Sequence, residues 1–97
     1  MAKAYWIVTY HSEDDPKALA EYAKLVGPAI LSAGGRNFVR GMPAKTFEAG
    51  LARRTVVVEF DSLAAAILAY ESPAYQAARE LLSDTVVRDF RIIEGSE

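Results

Sequence analysis

Residues 4–10 read Ala-Tyr-Trp-Ile-Val-Thr-Tyr, and this stretch decides which folds the chain can adopt. β-Branched and aromatic residues dominate it, which is typical of a β-strand. Side chains alternate between the two faces of a strand, so Tyr5 and Ile7 share one face while Trp6 and Val8 share the other. Because both faces are apolar, we expect this strand to lie at the centre of a sheet and to be covered on both sides.

A long helix is predicted to begin at Asp15-Pro16, where a capping carboxylate stands directly before a proline suited to the first helical position. Apolar side chains then recur every three or four residues, which marks one buried helix face: Leu19, Tyr22, Ala23, Val26, Ala29, Ile30 and Ala33. Gly27-Pro28 should kink the helix because proline lacks an amide hydrogen. Gly34-Gly35 should end it, since glycine tolerates the left-handed conformation of a helix cap.

The rest of the chain adds strands on either side of a second helix. Three further strands are predicted, at 36–40, 52–60 and 86–93. The helix is capped by Asp61-Ser62, and Ser72-Pro73 interrupts it and restarts it as a second cap followed by a proline. The restarted piece is expected to end near Ser83.

The resulting order, βαββαβ, is that of the ferredoxin-like split βαβ fold. We therefore expect a single α+β domain over residues 1–97, with a four-stranded antiparallel sheet. Right-handed crossover connections would place the helices on one face of that sheet. The first and third strands would form its central pair.

The sheet face without helices predicts a homodimer. Both central strands carry large apolar groups on both faces, and a monomer rarely exposes an apolar patch of several hundred Å². Two copies packed sheet against sheet about a two-fold axis would form a dimeric α+β barrel. The alternative is a monomer whose loop 41–51 covers the face, although Met42, Phe47 and Leu51 are its only large apolar side chains.

Composition argues against several classes of function. The chain has 11 basic and 13 acidic residues and a net charge of −2, so we expect no nucleic-acid partner. It has no cysteine, which removes disulfides, thiolate metal sites and thiol nucleophiles. No signal sequence is evident, and no segment approaches the ~20 apolar residues of a membrane span. The expected location is therefore the cytoplasm, with no membrane partner.

Basic residues cluster in the middle of the chain: Arg36, Arg40, Lys45, Arg53 and Arg54. They are spread over loops and strand ends, where charged side chains usually form a solvated rim. A site for an anion is the alternative interpretation.

Short motifs along the whole chain stand in a familiar order: Ala4-Tyr5-Trp6-Ile7, Asp15-Pro16 with Glu21-Tyr22, Gly34-Gly35-Arg36 with Val39-Arg40-Gly41, Val56-Val57-Val58-Glu59-Phe60, Ser72-Pro73-Ala74-Tyr75 and Ile92-Ile93-Glu94-Gly95. In this order and spacing the chain resembles the domain of unknown function 1330 family, which belongs to the dimeric α+β barrel superfamily. The resemblance implies the same ferredoxin-like fold and dimer. It implies no activity, because the family is named for lacking one.

The chain departs from the pattern of that family on the last helix. The family usually has an arginine there, a turn or two after the position of Tyr75. In this sequence Leu82 stands at that place, and Arg79 lies three residues earlier. A role of the arginine in relatives would therefore be absent here, or Arg79 would take it from a neighbouring face.

His11 is the only histidine and a weak candidate for a general base. Asp14 or Asp15 could orient it, but both are equally explained as helix caps, and a solvated, idle histidine is the alternative. One histidine with scattered carboxylates is too few ligands for zinc, so we expect no metal. Gly34-Gly35 follows a helix instead of opening one, so it does not indicate a phosphate loop, and we expect no cofactor.

Glu59, in the third strand, is the second weak catalytic candidate. Inside a barrel it would be partly desolvated, which would raise its pKa and suit it to acid or base catalysis. The alternative is a structural ion pair with an arginine on an adjacent strand, such as Arg36 or Arg91.

Three polar residues form the predicted ligand site: Tyr10, Arg40 and Tyr75. Tyrosines are amphipathic and can line a cleft for a small aromatic or carbonyl compound. Tyr22 and Tyr70 stand at core spacing, so packing explains them better, whereas core packing explains Tyr75 less well.

Two functions remain open at this stage. The first is a dimeric domain that binds a small organic ligand in a cleft beside the sheet, with chemistry that needs no cofactor as an option. The second is a non-catalytic assembly or regulatory module that acts through its dimer surface. A fold alone does not choose between them, so whether the chain is an enzyme stays open.

Overall fold

The computed structural model describes residues 2–13, 15–82, 84 and 86–96. Within these residues the elements are β1 (Ala4–Glu13), α1 (Pro16–Ser32), β2 (Arg36–Gly41), β3 (Thr55–Phe60), α2 (Leu63–Glu71), α3 (Pro73–Glu80) and β4 (Val86–Glu94). The predicted βαββαβ order is confirmed, with the second helix divided in two at Ser72.

The four strands form one antiparallel sheet in the order β2-β3-β1-β4. Trp6 of β1 pairs with Val58 of β3 on one side and with Ile92 of β4 on the other. The two apolar strands β1 and β3 are therefore the central pair, as the sequence predicts. This register places Trp6, Val58 and Ile92 on the same sheet face, because directly paired residues point the same way.

That face carries the core, and Trp6 lies at its centre. The indole is 2% exposed, and its ring centroid lies 5.0 Å from Phe60, 4.9 Å from Tyr75 and 5.1 Å from Phe90. Its Nε1 donates a hydrogen bond to the backbone oxygen of Ala66 at 2.9 Å. The indole N–H is thereby satisfied within the core, and the bond fixes α2 over the sheet.

Caps define both ends of the helical segments. The Asp15 carboxylate accepts from the amide of Ala18 at 3.0 Å and begins α1. Ser72 Oγ accepts from the amide of Tyr75 at 3.2 Å and donates to the backbone oxygen of Ala69 at 2.8 Å, so one side chain closes α2 and opens α3. The structure ends α3 at Glu80, earlier than predicted, and Ser83 lies outside the described residues.

The helix α1 includes Pro28 within its span, and two glycines follow its end. Gly34 has φ of +84°, a conformation that favours glycine. A Cβ at Gly35 would lie 2.6 Å from a ring carbon of Phe60, so only glycine lets the chain approach Phe60 this closely. The predicted glycine stop therefore serves the turn at one residue and the packing of the core at the next.

The opposite sheet face has no helix and exposes apolar side chains: Phe38 is 62% exposed, Val39 51% and Ile93 46%. We call this surface the open face. Loop residues Met42, Phe47 and Leu51 are all exposed as well. The third strand begins at Thr55 instead of residue 52, because the β2–β3 ladder ends where Gly41 pairs with Thr55.

Replacement of Trp6 by alanine should lower the free energy of unfolding by about 3–5 kcal/mol, since it removes the largest core side chain and leaves a cavity. Urea unfolding followed by far-ultraviolet circular dichroism measures this. Phe47→Ala, at a side chain that is 73% exposed, is the control and should cost less than about 0.5 kcal/mol. Equal costs for the two variants would contradict the placement of Trp6.

Candidate functional site

A cavity of about 340 Å³ lies between α1 and the sheet. The helix α1 packs mainly on α3 and stands away from the strands, whereas α2 packs directly on β1, β3 and β4. The space left under α1 is lined by apolar side chains of the sheet (Trp6, Val8, Val56, Val58, Phe90) and of α1 (Leu19, Ala23, Val26, Ile30). The cavity therefore exists because α2 packs closely on the sheet while α1 does not.

Polar side chains also line this cavity: Tyr10, Tyr22, Asn37, Arg40, Arg54 and Arg88. Strand register explains how three of them reach it. Tyr10 pairs with Arg88 across β1 and β4, and Arg40 pairs with Val56 across β2 and β3. Each of these residues is on the same sheet face as Trp6, so each projects towards α1.

Arg88 is the most connected of these polar groups. Its guanidinium donates to the hydroxyl of Tyr22 and to that of Tyr75, both at 3.2 Å, and those two hydroxyls lie 3.0 Å apart. Its Cζ also lies 5.8 Å from the ring centroid of Tyr10, 5.3 Å from that of Tyr22 and 5.5 Å from that of Phe90. Hydrogen bonds and cation–π contacts together fix the guanidinium in one position.

The surroundings keep the tyrosines neutral and Arg88 charged. Burial raises the pKa of Tyr10, although the charges of Arg88 and Arg54 oppose it. Burial also raises the pKa of Tyr22 far above its ordinary range, with a further contribution from Tyr75. Burial alone would lower the pKa of Arg88, but the Tyr75 and Tyr22 hydroxyls outweigh it and the pKa is raised. At neutral pH the cluster offers hydroxyl groups and a fixed positive charge.

The structure places two of the three predicted ligand-binding residues, Tyr10 and Arg40, in the cavity lining. Tyr75 is outside the lining and is 1% exposed, with its ring packed on Trp6. The expectation that core packing explains Tyr75 poorly is therefore wrong. Its hydroxyl still bonds to Arg88, so Tyr75 contributes to the site through that guanidinium.

His11 lies outside the cavity lining. Its side chain is exposed, at the irregularity of the β1–β4 ladder between Tyr10 and Ser12. Asp15 caps α1, and Asp14, the other suggested partner of His11, lies outside the described residues. The structure thus does not bring His11 together with Tyr10 and Arg40.

Glu59 lies on the open face, away from the cavity, in the ion pair offered as its alternative role. Arg36 Nε donates to it at 2.7 Å, the Tyr5 hydroxyl donates to it at 3.0 Å, and the residue is 8% exposed. Burial by itself raises the pKa of Glu59, but the hydrogen bonds from Arg36 and Tyr5 and the charge of Arg36 bring the pKa below its usual value. The carboxylate is therefore stably ionised, which is opposite to what acid catalysis requires.

Four polar lining residues are not among the predicted ligand-binding residues: Tyr22, Asn37, Arg54 and Arg88. Arg54 belongs to the basic cluster for which an anion site is the alternative interpretation, and the sequence carries a separate signal for Arg88. In β4 the positions of Val86, Phe90 and Ile92 face inward, and the same alternation puts Arg88 inward as well. Burying a charged side chain at an inward position of an apolar strand costs free energy unless a partner group compensates it. The alternation therefore marks Arg88 as a candidate functional residue.

In the part of the chain that the structure describes, no group of histidine and carboxylate side chains is arranged to hold a metal ion. Nor does any helix there have the length and apolar character to cross a membrane.

The model of a family defined as a domain of unknown function, DUF1330, matches residues 3–96. The chain belongs to the DUF1330 family. No curated protein matches the chain.

Solved structures show the fold of this DUF1330 chain in other proteins. A protein of unknown function from Rhodopseudomonas palustris has a TM-score of 0.74 at 16% identity, over 99% of this chain and 84% of its own. A dimeric ferredoxin-like protein of unknown function from Thermobifida fusca has a TM-score of 0.67 at 16% identity, over 97% and 92%. A candidate antibiotic biosynthesis monooxygenase from Nitrosomonas europaea has a TM-score of 0.61 at 17% identity, over 98% and 92%. The ferredoxin-like fold is thereby confirmed.

The ion pair of Glu59 predicts a specific pH dependence of stability. A carboxylate whose pKa is lower in the folded chain stabilises the fold above the unfolded-state pKa, near 4.5, and this contribution is lost as the pH falls through the folded-state value. The stability difference between wild type and Glu59→Gln should therefore be constant near neutral pH and shrink in acid. Urea unfolding across pH 3–8 measures it.

Glu48→Gln, at an exposed carboxylate, is the matched control and should follow the wild-type profile. A difference between wild type and Glu59→Gln that grows in acid would mean that the pKa of Glu59 is raised, and would restore it as a catalytic candidate.

Proposed function

We propose that this DUF1330 chain binds a small organic ligand in the cavity between α1 and the sheet. The observation that carries the proposal is the cavity itself, whose 340 Å³ falls within the size range of small-molecule sites. Its lining is mostly apolar with a few convergent polar groups, which is the composition of such sites.

The proposal concerns binding, and the reaction stays open. One fold neighbour is described as a candidate antibiotic biosynthesis monooxygenase, but the identity is 17%, and a fold hosts many functions. His11 and Glu59 lie outside the cavity lining, so the groups available for chemistry there are the tyrosine hydroxyls and arginines. These groups suit orientation of a ligand and stabilisation of negative charge.

We further propose that two copies associate through the open face. Two fold neighbours are described as dimeric ferredoxin-like proteins, from Thermobifida fusca and from Jannaschia. Exposed Phe38, Val39 and Ile93 give the open face the apolar character that such an interface needs. The cavity is on the other side of the sheet, so association would leave its lining within one subunit.

A pure assembly module is the alternative, and it has no use for the cavity. An unfilled apolar cavity costs packing energy. A domain that binds no ligand would gain nothing in return for that cost. The two readings differ in one measurable property, which is whether small molecules stabilise the chain.

A thermal-shift screen of carbocyclic acids, amides, alcohols and quinones should find compounds that raise the melting temperature. A ligand at 100 times its Kd adds about 2.7 kcal/mol to the free energy of unfolding. Gly27→Leu should abolish the effect, because Gly27 lines the cavity and a Cβ there meets no atom within 4 Å, so a larger side chain has room to enter.

Gly27→Ala is the matched control, since it adds only a methyl group, and it should keep most of the shift. Silence across the whole panel, or unchanged binding to Gly27→Leu, would count against a ligand in this cavity.

The double substitution Val39→Lys with Ile93→Lys should convert the dimer to monomer at micromolar concentration, because it places a charge on each edge strand of the apolar open face. Light scattering coupled to size-exclusion chromatography measures the mass. Leu31→Lys, at an apolar residue of α1 that is 72% exposed, is the control and should remain dimeric. A monomeric wild-type chain would refute the proposed assembly.

A further inference from the structure

Three arginines at the cavity have no acidic partner among the residues that the structure describes. Arg40, Arg54 and Arg88 line it, and the described lining residues include no aspartate or glutamate. In residues 2–13, 15–82, 84 and 86–96, every ion pair of a lysine or arginine involves other basic residues: Lys3, Lys24, Arg36 and Arg91. The cavity therefore carries uncompensated positive charge in a chain whose net charge is −2.

The open face shows that this chain pairs arginines where charge has only a structural role. Arg36 is paired with Glu59, and Arg91 donates from Nε to Asp89 at 2.9 Å. The arginines on the two faces of the sheet thus differ in whether they have a carboxylate partner. On the open face Arg36 and Arg91 each pair with a carboxylate, whereas on the cavity face no described carboxylate pairs with an arginine.

Leaving Arg88 unpaired is costly because its guanidinium is partly buried. The aromatic rings of Tyr10, Tyr22 and Phe90 attract the cation but do not neutralise it. Its bonds to the hydroxyls of Tyr22 and Tyr75 use two of the five N–H groups that a guanidinium has. The guanidinium is thus held in place with N–H groups left for further hydrogen bonds. No described carboxylate neutralises its charge.

Arg54, directly before β3, contacts the same tyrosine ring as Arg88. Its Cζ lies 6.0 Å from the ring centroid of Tyr10, and the Cζ of Arg88 lies 5.8 Å from that centroid. Two guanidinium groups are therefore both in contact with one tyrosine ring in the cavity lining. Planar guanidinium groups match the geometry of a carboxylate.

We propose that the cavity is selective for small organic anions, with a carboxylate held at Arg54 and Arg88 and an apolar body lying along Trp6 and Val58. This proposal rests on the proposed function and names the class of ligand. A bare inorganic anion would satisfy the arginines but leave the apolar lining empty. A neutral apolar compound would fill the cavity but leave the charges unpaired. A carboxylic acid with a compact carbocyclic or aliphatic body satisfies both.

Matched pairs of probes test charge selectivity directly: cyclohexylacetate against cyclohexylacetamide, and octanoate against octanamide. The two members of each pair have the same carbon skeleton and differ only in the head group, which is an anionic carboxylate in one and a neutral amide of similar size in the other. The fluorescence of Trp6, the only tryptophan and a cavity residue, reports occupancy, and these probes do not absorb at its excitation wavelength. At pH 7 each carboxylate should bind at least about tenfold more tightly than its amide, which corresponds to one ordinary charge-assisted interaction.

Arg54→Gln should weaken binding of the carboxylates about tenfold and leave the amides unchanged. Arg53→Gln is the matched control, because Arg53 is adjacent in sequence, exposed and outside the cavity lining, and it should change neither. Arg54 is chosen over Arg88 because substitution of Arg54 leaves the hydrogen bonds from Arg88 to the hydroxyls of Tyr22 and Tyr75 in place. Far-ultraviolet circular dichroism checks that both variants are folded.

The outcomes separate the two proposals. Equal affinity for carboxylate and amide would overturn anion selectivity while a ligand in the cavity still stood. Equal loss for Arg53→Gln and Arg54→Gln would show a general charge effect, and would also overturn it. No fluorescence change with any of the four probes would overturn the proposed anion site, whereas the thermal-shift panel decides whether the cavity binds any ligand.

Discussion

The indole of Trp6 lies where β1 and α2 meet, and the other features of the domain depend on how it is packed. Its N–H is satisfied by the backbone of Ala66, and rings from Phe60, Tyr75 and Phe90 surround it. A buried indole needs both a partner for its N–H and a large apolar enclosure. Meeting these needs draws α2 onto the sheet and brings Tyr75 of α3 against the indole, whereas α1 packs on α3 and leaves space beneath it. The cavity therefore lies under α1, beside the part of the core where α2 packs tightly on the sheet.

Aromatic packing also connects the core to the polar end of the cavity. Tyr75 packs on Trp6 with its ring and bonds to Tyr22 and Arg88 with its hydroxyl. One buried side chain therefore belongs to the core at one end and to the site at the other. Functional groups held by packed residues keep their geometry better than groups on loops. The position of Arg88 is fixed by the same contacts that stabilise the domain.

The sheet separates two kinds of surface. On the open face, ion pairs such as Arg36 with Glu59 neutralise the charges among exposed apolar side chains, which suits contact with a second protein surface. On the cavity face the arginines keep their charge beside an apolar lining, which suits a small molecule with an anionic group. Because successive residues of a strand point to opposite faces, the same four strands serve both surfaces.

The sequence by itself determined the element order, the two central strands, the caps at Asp15 and Ser72 and the family, because these follow from local patterns and side-chain chemistry. Strand alternation also divided the side chains of β1 between two faces, but it did not decide which face the helices cover. The sequence left Tyr22, Asn37 and Arg88 unrecognised and the role of Tyr75 misread, since these residues lie far apart in the chain. Only the tertiary structure decided which charges have partners, because pairing depends on strand register and on how far α1 stands from the sheet. Glu59 therefore lies in an ion pair, while Arg88 keeps a charge that nothing in the described chain neutralises.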